Sequence, residues 1–483
     1  MSVQVVYIIY GVLSIVILWM LWVVFLYRDQ KGIPKKYRVY FKLRQGRFRI
    51  DNVRRGVSII GSAGSGKTES VVYNLLRHFS RHGFCGIIHD YKDFELTEIA
   101  YPLFRENPNI TFYTISFDQI HYRVNPIAPR YLPNEESVNE LARVLIENLL
   151  EQGGTQNATT RFFNDAVEGL LAGLIWKLRT DYPKQCTLPH LIAVFQGMDT
   201  KRLVAFLSSN LTSKGMASAF IHGIGSEKQT AGVKSTLANA FKKISSQKLF
   251  MALSGDDVPL DANSPHHPSV IAVVNNPKYE SAYAPIIATI MHTAIKQMGV
   301  RNRPSAFVLM EEAPTIKLPH MHRIPATLRS YDITTVYVMQ DKVQNDMLYG
   351  DKASKAILSN LSYQFFGKAN DPDTAKYYEQ FFEIIKVPTK SVSRPSGLAL
   401  ESRITKGERE VSKRRAGIFF RLRQGEFVAF ADGKDRKLRF RLQRMVKTKP
   451  VPNRVYSELE LRMHFESIYR EANAICNRKD VEG

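Results

Sequence analysis

Gly61-Ser62-Ala63-Gly64-Ser65-Gly66-Lys67-Thr68 reads G-x-x-x-x-G-K-[ST], and no other stretch of this 483-residue chain constrains its folding as much. Such a loop works only between a buried strand and the first turn of a helix. Gly56-Val57-Ser58-Ile59-Ile60 before it predicts the strand. Glu69 to Phe79 after it predicts the helix, with Val71, Leu75 and Phe79 at helical spacing. Each residue type has a physical task. Glycines let consecutive backbone N–H groups curl around phosphate oxygens, and the helix N-terminus adds partial positive charge. Lys67 reaches the β- and γ-phosphates, and the Thr68 hydroxyl ligates Mg²⁺. The eight residues are therefore expected to hold ATP and Mg²⁺. A chance match in a glycine-containing turn would lack the flanking strand and helix.

The rest of the chain supplies the sheet that such a loop needs. Cys85-Gly86-Ile87-Ile88 and Ile110 to Phe117 read as further strands. From about Asn134 to Leu253 the texture is helical: Val138 to Leu150, Phe162 to Leu178, Lys201 to Leu207 and Gly232 to Leu249. Strands return at Val270 to Val274, Phe307 to Met310 and Thr334 to Met339, each separated by a helix-like stretch. Strands alternating with helices imply right-handed β-α-β units and a parallel sheet. The expected organisation is an α/β nucleotide-binding domain in two parts, residues 56–133 and 266–448, interrupted by an all-alpha insertion at 134–265. Residues 449–483 form a tail with an amphipathic helix over Tyr456 to Ala474.

Val3 to Tyr27 contains no charged residue and is long enough, as a helix, to cross a hydrocarbon core. Arg28, Lys31, Lys35 and Lys36 follow at once, which places the C-terminal bulk in the cytoplasm. Residues 1–27 are thus expected to be a single membrane-spanning anchor, and 28–55 a basic membrane-proximal segment. The net charge of +22 sits in two stretches. Residues 28–56 hold 11 Lys/Arg against 2 acids, and residues 386–449 hold 19 against 6. That asymmetry points to polyanions, either nucleic acid or anionic lipid, or else to solvated basic faces. In the second stretch, Phe419 to Arg423 and Lys437 to Leu442 alternate apolar and basic residues around Gly425 to Phe430, as an edge β meander would. Cys85, Cys186 and Cys476 match no metal spacing and read as reduced thiols.

A P-loop needs acids to hold the Mg²⁺ hydration shell and to polarise the attacking water. Ala306-Phe307-Val308-Leu309-Met310-Glu311-Glu312 is an apolar strand ending in two of them. Glu311 takes the magnesium side through water, and Glu312 activates the lytic water. Two solvated acids at a strand end are the alternative. Gln340 ends the next strand, where a polar group can sense the γ-phosphate. Arg329 lies shortly before that strand. It reads either as a surface cation or as an arginine that completes a neighbouring subunit's site.

Together these residues resemble the type IV coupling proteins of conjugative DNA transfer, RecA-like hexameric DNA pumps. Asp90-Tyr91-Lys92-Asp93-Phe94-Glu95-Leu96 is similar to the family's D-P-K-G-E-L segment, with Tyr91 and Asp93 in place of Pro and Gly. Asn125-Pro126-Ile127 resembles its N-P-L, and Arg329 and Gln340 fall at its R…Q pair. Ser359-Asn360, Phe366-Gly367 and Asp371 to Ala375 resemble its later segment. The likeness spans about residues 50–445, with two departures: one membrane helix where many members have two, and Glu-Glu for Asp-Glu. The resemblance implies a RecA-like fold and ATP hydrolysis with Lys67, Glu312, Arg329 and Gln340 as catalytic residues. It further implies a homo-hexamer at the bacterial inner membrane, gripping DNA without sequence preference and meeting a relaxase and type IV secretion channel components. The alternatives are a channel ATPase that moves protein only and a nucleotide-gated docking platform.

Overall fold

The computed structural model describes residues 11–22, 33–150, 158–223, 227–393 and 403–477. Of the apolar Val3–Tyr27 stretch, only residues 11–22 are described. They are helical with every side chain exposed, and the remainder lies outside the described residues. No helix among the described residues is long and apolar enough to cross a membrane.

Thirteen strands are described. β1 (Val39–Lys42) and β2 (Arg47–Ile50) form an antiparallel hairpin. The main sheet uses β3 (Val57–Ile60), β4 (Cys85–Asp90), β5 (Thr111–Ile115), β6 (Ser269–Val274), β7 (Ala306–Met310), β8 (Ile333–Met339) and β9 (Tyr363–Phe366). β10 (Ile384–Ser393) pairs only with β11 (Arg403–Ser412) in a separate two-stranded ribbon, while β12 (Glu426–Ala431) and β13 (Lys434–Arg439) join the main sheet. Its order is β13-β12-β9-β3-β8-β7-β4-β6-β5. From β9 to β5 every neighbouring pair is parallel. Parallel strands end on one edge, so the loops after β3, β8, β7 and β4 meet there.

These strands are short apolar runs because both faces are covered. Side chains alternate between two cores: Ile87 and Val308 pack into one, Ile88 and Leu309 into the other. The first core continues into the helical region. Among the described residues, eight α-helices and no strand lie between β5 and β6. The tail helix, Glu458–Cys476, returns to pack on helices Leu188–Gly197 and Gln247–Leu253, with Phe465 and Tyr469 against Phe250.

Two local readings change. The helix expected over Gly232 to Leu249 is broken: one helix ends at Lys243 and Gln247–Leu253 begins anew. Ser246 causes the restart, since its hydroxyl accepts from Leu249 N at 3.3 Å as an N-cap. The strand expected at Phe419 to Arg423 is a 3₁₀ helix, Ala416–Arg421. Phe419 and Leu422 are both buried whereas Phe420 is 39% exposed, a period of three rather than two. The β12–β13 hairpin turns on Asp432-Gly433, both at positive φ, the backbone of a type I′ turn.

Candidate nucleotide-binding site

The loop after β3 is anchored at both ends by backbone bonds. Gly61 N donates to Met339 O at 3.2 Å, and Ser62 N donates to Lys368 O at 2.8 Å. Gly64 and Gly66 have φ of +73° and +84°, which bends the loop back over itself. A Cβ on Gly66 would stand 3.0 Å from Gly425 N. Gly425 N in turn donates to Ser65 O at 3.0 Å, so the turn before β12 lies directly on the loop. Thr68–Val72 forms one π-helical turn, and the α-helix Tyr73–Arg81 continues from it. The sequence predicted helix throughout. Wide turns of this kind are frequent at functional sites.

Lys67 is buried, and its Nζ donates to Gly61 O at 2.6 Å. Burial depresses its pKa, and the nearby Glu312 carboxylate opposes that shift. Ser62 Oγ and Ser65 Oγ are buried with no hydrogen-bond partner among the described residues. Buried unpaired hydroxyls in a loop that curls around a lysine are donors awaiting acceptors. This set fits a polyphosphate: backbone N–H groups, two hydroxyls and one buried ammonium. Thr68 is half-buried at the start of the π turn, and Glu311 acts electrostatically on the adjacent Lys67; both carry oxygen donors of the kind that Mg²⁺ takes.

The acids after β7 part company. Glu312 sits in the left-handed region at φ 44° and ψ 53°, a strained conformation for a non-glycine residue. Its carboxylate Oε1 accepts from Gln340 Nε2 at 3.0 Å and lies 3.3 Å from Lys92 Nζ. Glu311 turns toward β4. Its Oε1 is 3.6 Å from Lys92 Nζ, and its Oε2 accepts from Tyr91 N at 3.4 Å. Burial raises the Glu311 pKa to about 8, and the adjacent Asp90 carboxylate pushes the same way. Asp90 is also raised by burial, but its Oδ2 accepts from Thr97 N at 2.7 Å and Thr97 Oγ1 at 2.6 Å. Those two short bonds hold charge on Asp90, so the proton that the pair shares belongs on Glu311.

Lys67, Glu311, Glu312 and Gln340 are therefore brought together. Arg329 is not. It ends helix Ile324–Arg329, exposed, just before β8, whereas Gln340 follows the other end of that strand. Seven residues of strand separate the two by roughly 20 Å. Two contributors escaped the sequence reading. Lys92 bridges both glutamates, and the only hint of it was its place in the D-P-K-G-like segment. Asp93, which stands where that segment usually has glycine, has φ 46°, a conformation that Asp tolerates better than most residues. The other is the Gln424-Gly425 turn over the P-loop, which nothing in the local sequence marks.

The fold has well-defined neighbours. The unbound bacterial conjugative coupling protein TrwBdeltaN70 superimposes with a TM-score of 0.66 at 13% identity, covering 83% of this chain and 88% of that one. Plasmid coupling protein TrwB in complex with ADP and Mg²⁺ gives 0.64 at 13% identity, covering 82% and 87%. VirB4 of Thermoanaerobacter pseudethanolicus gives 0.50 at 12% identity, covering 85% and 98%. No curated protein matches the chain in sequence. At such identities the structures speak for the RecA-like fold of TrwB, and family rests on the sequence profile. The profile for type IV secretory system conjugative DNA transfer matches residues 25–416, and the chain belongs to that family of coupling proteins.

Proposed function

We propose that the chain is a membrane-anchored ATPase that couples DNA, or a relaxase–DNA complex, to a type IV secretion channel and drives its transfer by ATP hydrolysis. The observation that carries this reading is the meeting of Lys67, Glu312 and Gln340 on the carboxyl edge of a parallel sheet, in a member of a conjugative DNA transfer family. TrwB structures carry ADP with Mg²⁺ and a non-hydrolysable ATP analogue, which supports the same occupant here.

Residues Gly61 through Thr68 hold the phosphates, with Lys67 giving up its bond to Gly61 O for a phosphate oxygen. Thr68 and, through water, Glu311 in its carboxylate form would hold Mg²⁺, which when bound would neutralise phosphate charge. Glu312 orients and deprotonates the attacking water, and Gln340 fixes the carboxylate for that task. Arg329 serves the site of the next subunit in a homo-hexamer. Its exposure and its distance from Gln340 favour action between subunits over action within one. Residues 134–265 form the all-alpha domain inserted into the nucleotide-binding domain of 56–133 and 266–448. Residues 1–27 are the single-pass inner-membrane anchor, and the helical, fully exposed residues 11–22 favour that.

The test is ATP turnover of the full chain with and without DNA at low salt. DNA stimulation that Lys67→Ala and Glu312→Gln both abolish, together with loss of transfer in both variants, is expected. Equal turnover with and without DNA removes the DNA-pumping reading. Transfer that survives Glu312→Gln but not Lys67→Ala leaves a docking platform in its place.

A further inference from the structure

A second cavity, of about 340 Å³, lies between the segment that leads into β1 and the C-terminal end of the P-loop helix. Lys35 and Arg38 line it from one side, Arg77 and Arg81 from the other, and no carboxylate lines it. None of the four cations makes an ion pair among the described residues. Arg77 is held in place: its Nη1 donates to Gln443 Oε1 at 2.6 Å and its Nη2 to Asn74 Oδ1 at 3.2 Å. Its own pKa is depressed by burial and by the neighbouring Arg81. His78 and His82 lie against each other in the wall, tilted by 46° with ring centroids 4.4 Å apart. Burial lowers the pKa of both, so they are neutral at pH 7. The helix end contributes partial negative charge, which four full cations outweigh. Like charges gathered in a hollow without counter-charge concentrate anions there.

We propose that this cavity binds the phosphate of an anionic phospholipid headgroup. Phosphate as the ligand class follows from the four cations. Lipid as its source rests on the anchor reading above. Lys35 comes eight residues after Tyr27, the last residue of the apolar stretch. Eight residues reach at most roughly 27 Å, so an anchored chain holds Lys35 within that reach of the bilayer, whose anionic lipid is a concentrated source of phosphate. The cavity shares its helix with the P-loop, which connects headgroup binding to the nucleotide site through a single rigid element.

The experiment titrates the full chain, in neutral detergent, with dihexanoyl phosphatidylglycerol by calorimetry. Dihexanoyl phosphatidylcholine, inorganic phosphate and a short oligonucleotide form the comparison arms. Saturable binding of phosphatidylglycerol alone is expected. Lys35→Gln with Arg81→Gln, two exposed positions, should weaken it roughly tenfold to thirtyfold while ATP turnover without lipid is unchanged. Arg81→Lys should largely restore it. Equal binding of phosphatidylcholine, or binding unmoved by the double variant, overturns the proposal. Inorganic phosphate binding as tightly as the lipid reassigns the site to free phosphate. Displacement of the lipid by the oligonucleotide reassigns it to nucleic acid. Alkaline extraction of membranes tests the anchor separately, so an unanchored chain that still binds the headgroup is distinguishable from an anchored one that does not.

Discussion

Glu311→Gln should remove the fall in stability that the site imposes as pH rises. Glu311 is 5% exposed and its nearest cation, Lys92, is 3.6 Å away and shared with Glu312. Burial and Asp90 raise its pKa from 4.5 to about 8. The folded chain therefore keeps a proton that the unfolded chain releases between those values. Stability of the ligand-free wild type falls as pH rises across that window and levels off above it. Each pH unit is worth about 1.4 kcal/mol well below the folded pKa and half that slope at it, so the step from pH 6 to pH 8 removes about 2 kcal/mol. Glutamine has nearly the same volume and still accepts from Tyr91 N, but it has no proton to lose. The variant should thus gain about 2 kcal/mol on the wild type between pH 6 and pH 8. Urea unfolding of both proteins, followed by circular dichroism at pH 6, 7 and 8 without nucleotide, measures this. Parallel curves would mean that Glu311 is already ionised in the folded chain, and the assignment of the shared proton would be wrong.

Three further outcomes follow from the same geometry. Lys67→Ala removes the only buried ammonium of the P-loop, and ATP turnover should fall at least hundredfold, with nucleotide affinity lost in equilibrium titration. Gln340→Ala frees Glu312 from its 3.0 Å partner; kcat should drop roughly tenfold to hundredfold while KM for ATP changes little. Gly66→Ala forces a side chain onto a φ of +84° and against Gly425 N at 3.0 Å, costing about 1–3 kcal/mol, and thermal melting should show it together with weakened nucleotide binding.

The elements with a strong local period were legible in the sequence. The strands around the P-loop and the helices after β5 announce themselves by unbroken apolar runs or by three- and four-residue spacing. Phe419 did not, because alternating apolar and basic residues fit a strand as well as a turn of period three. Only its packing against Tyr378 and Phe382 decides between them. Within the site, Lys67 was readable from the P-loop motif and Gln340 from its position at a strand end. Lys92 was not, because its role depends on β4 lying next to β7, and strand order is a long-range property.

Strand order also explains why two adjacent glutamates have different chemistry. Had β7 simply continued, Glu311 and Glu312 would point to opposite faces of the sheet. The left-handed backbone at Glu312 ends the strand and keeps both carboxylates on its carboxyl edge. There they face different neighbours, because β7 lies between β4 and β8. Glu311 meets the buried Asp90 of β4 and takes up a proton. Glu312 meets Gln340 after β8 and supplies the largest opposing charge on Lys67. Of two chemically identical side chains, the one facing β8 is paired with Gln340 and stands beside Lys67, which suits the proposed acceptor of a water proton. An Asp at 311, the more usual residue, would be one methylene shorter and would draw the carboxyl back from Lys92. The longer side chain thus fits the position that this sheet gives it, between Lys92 and Asp90.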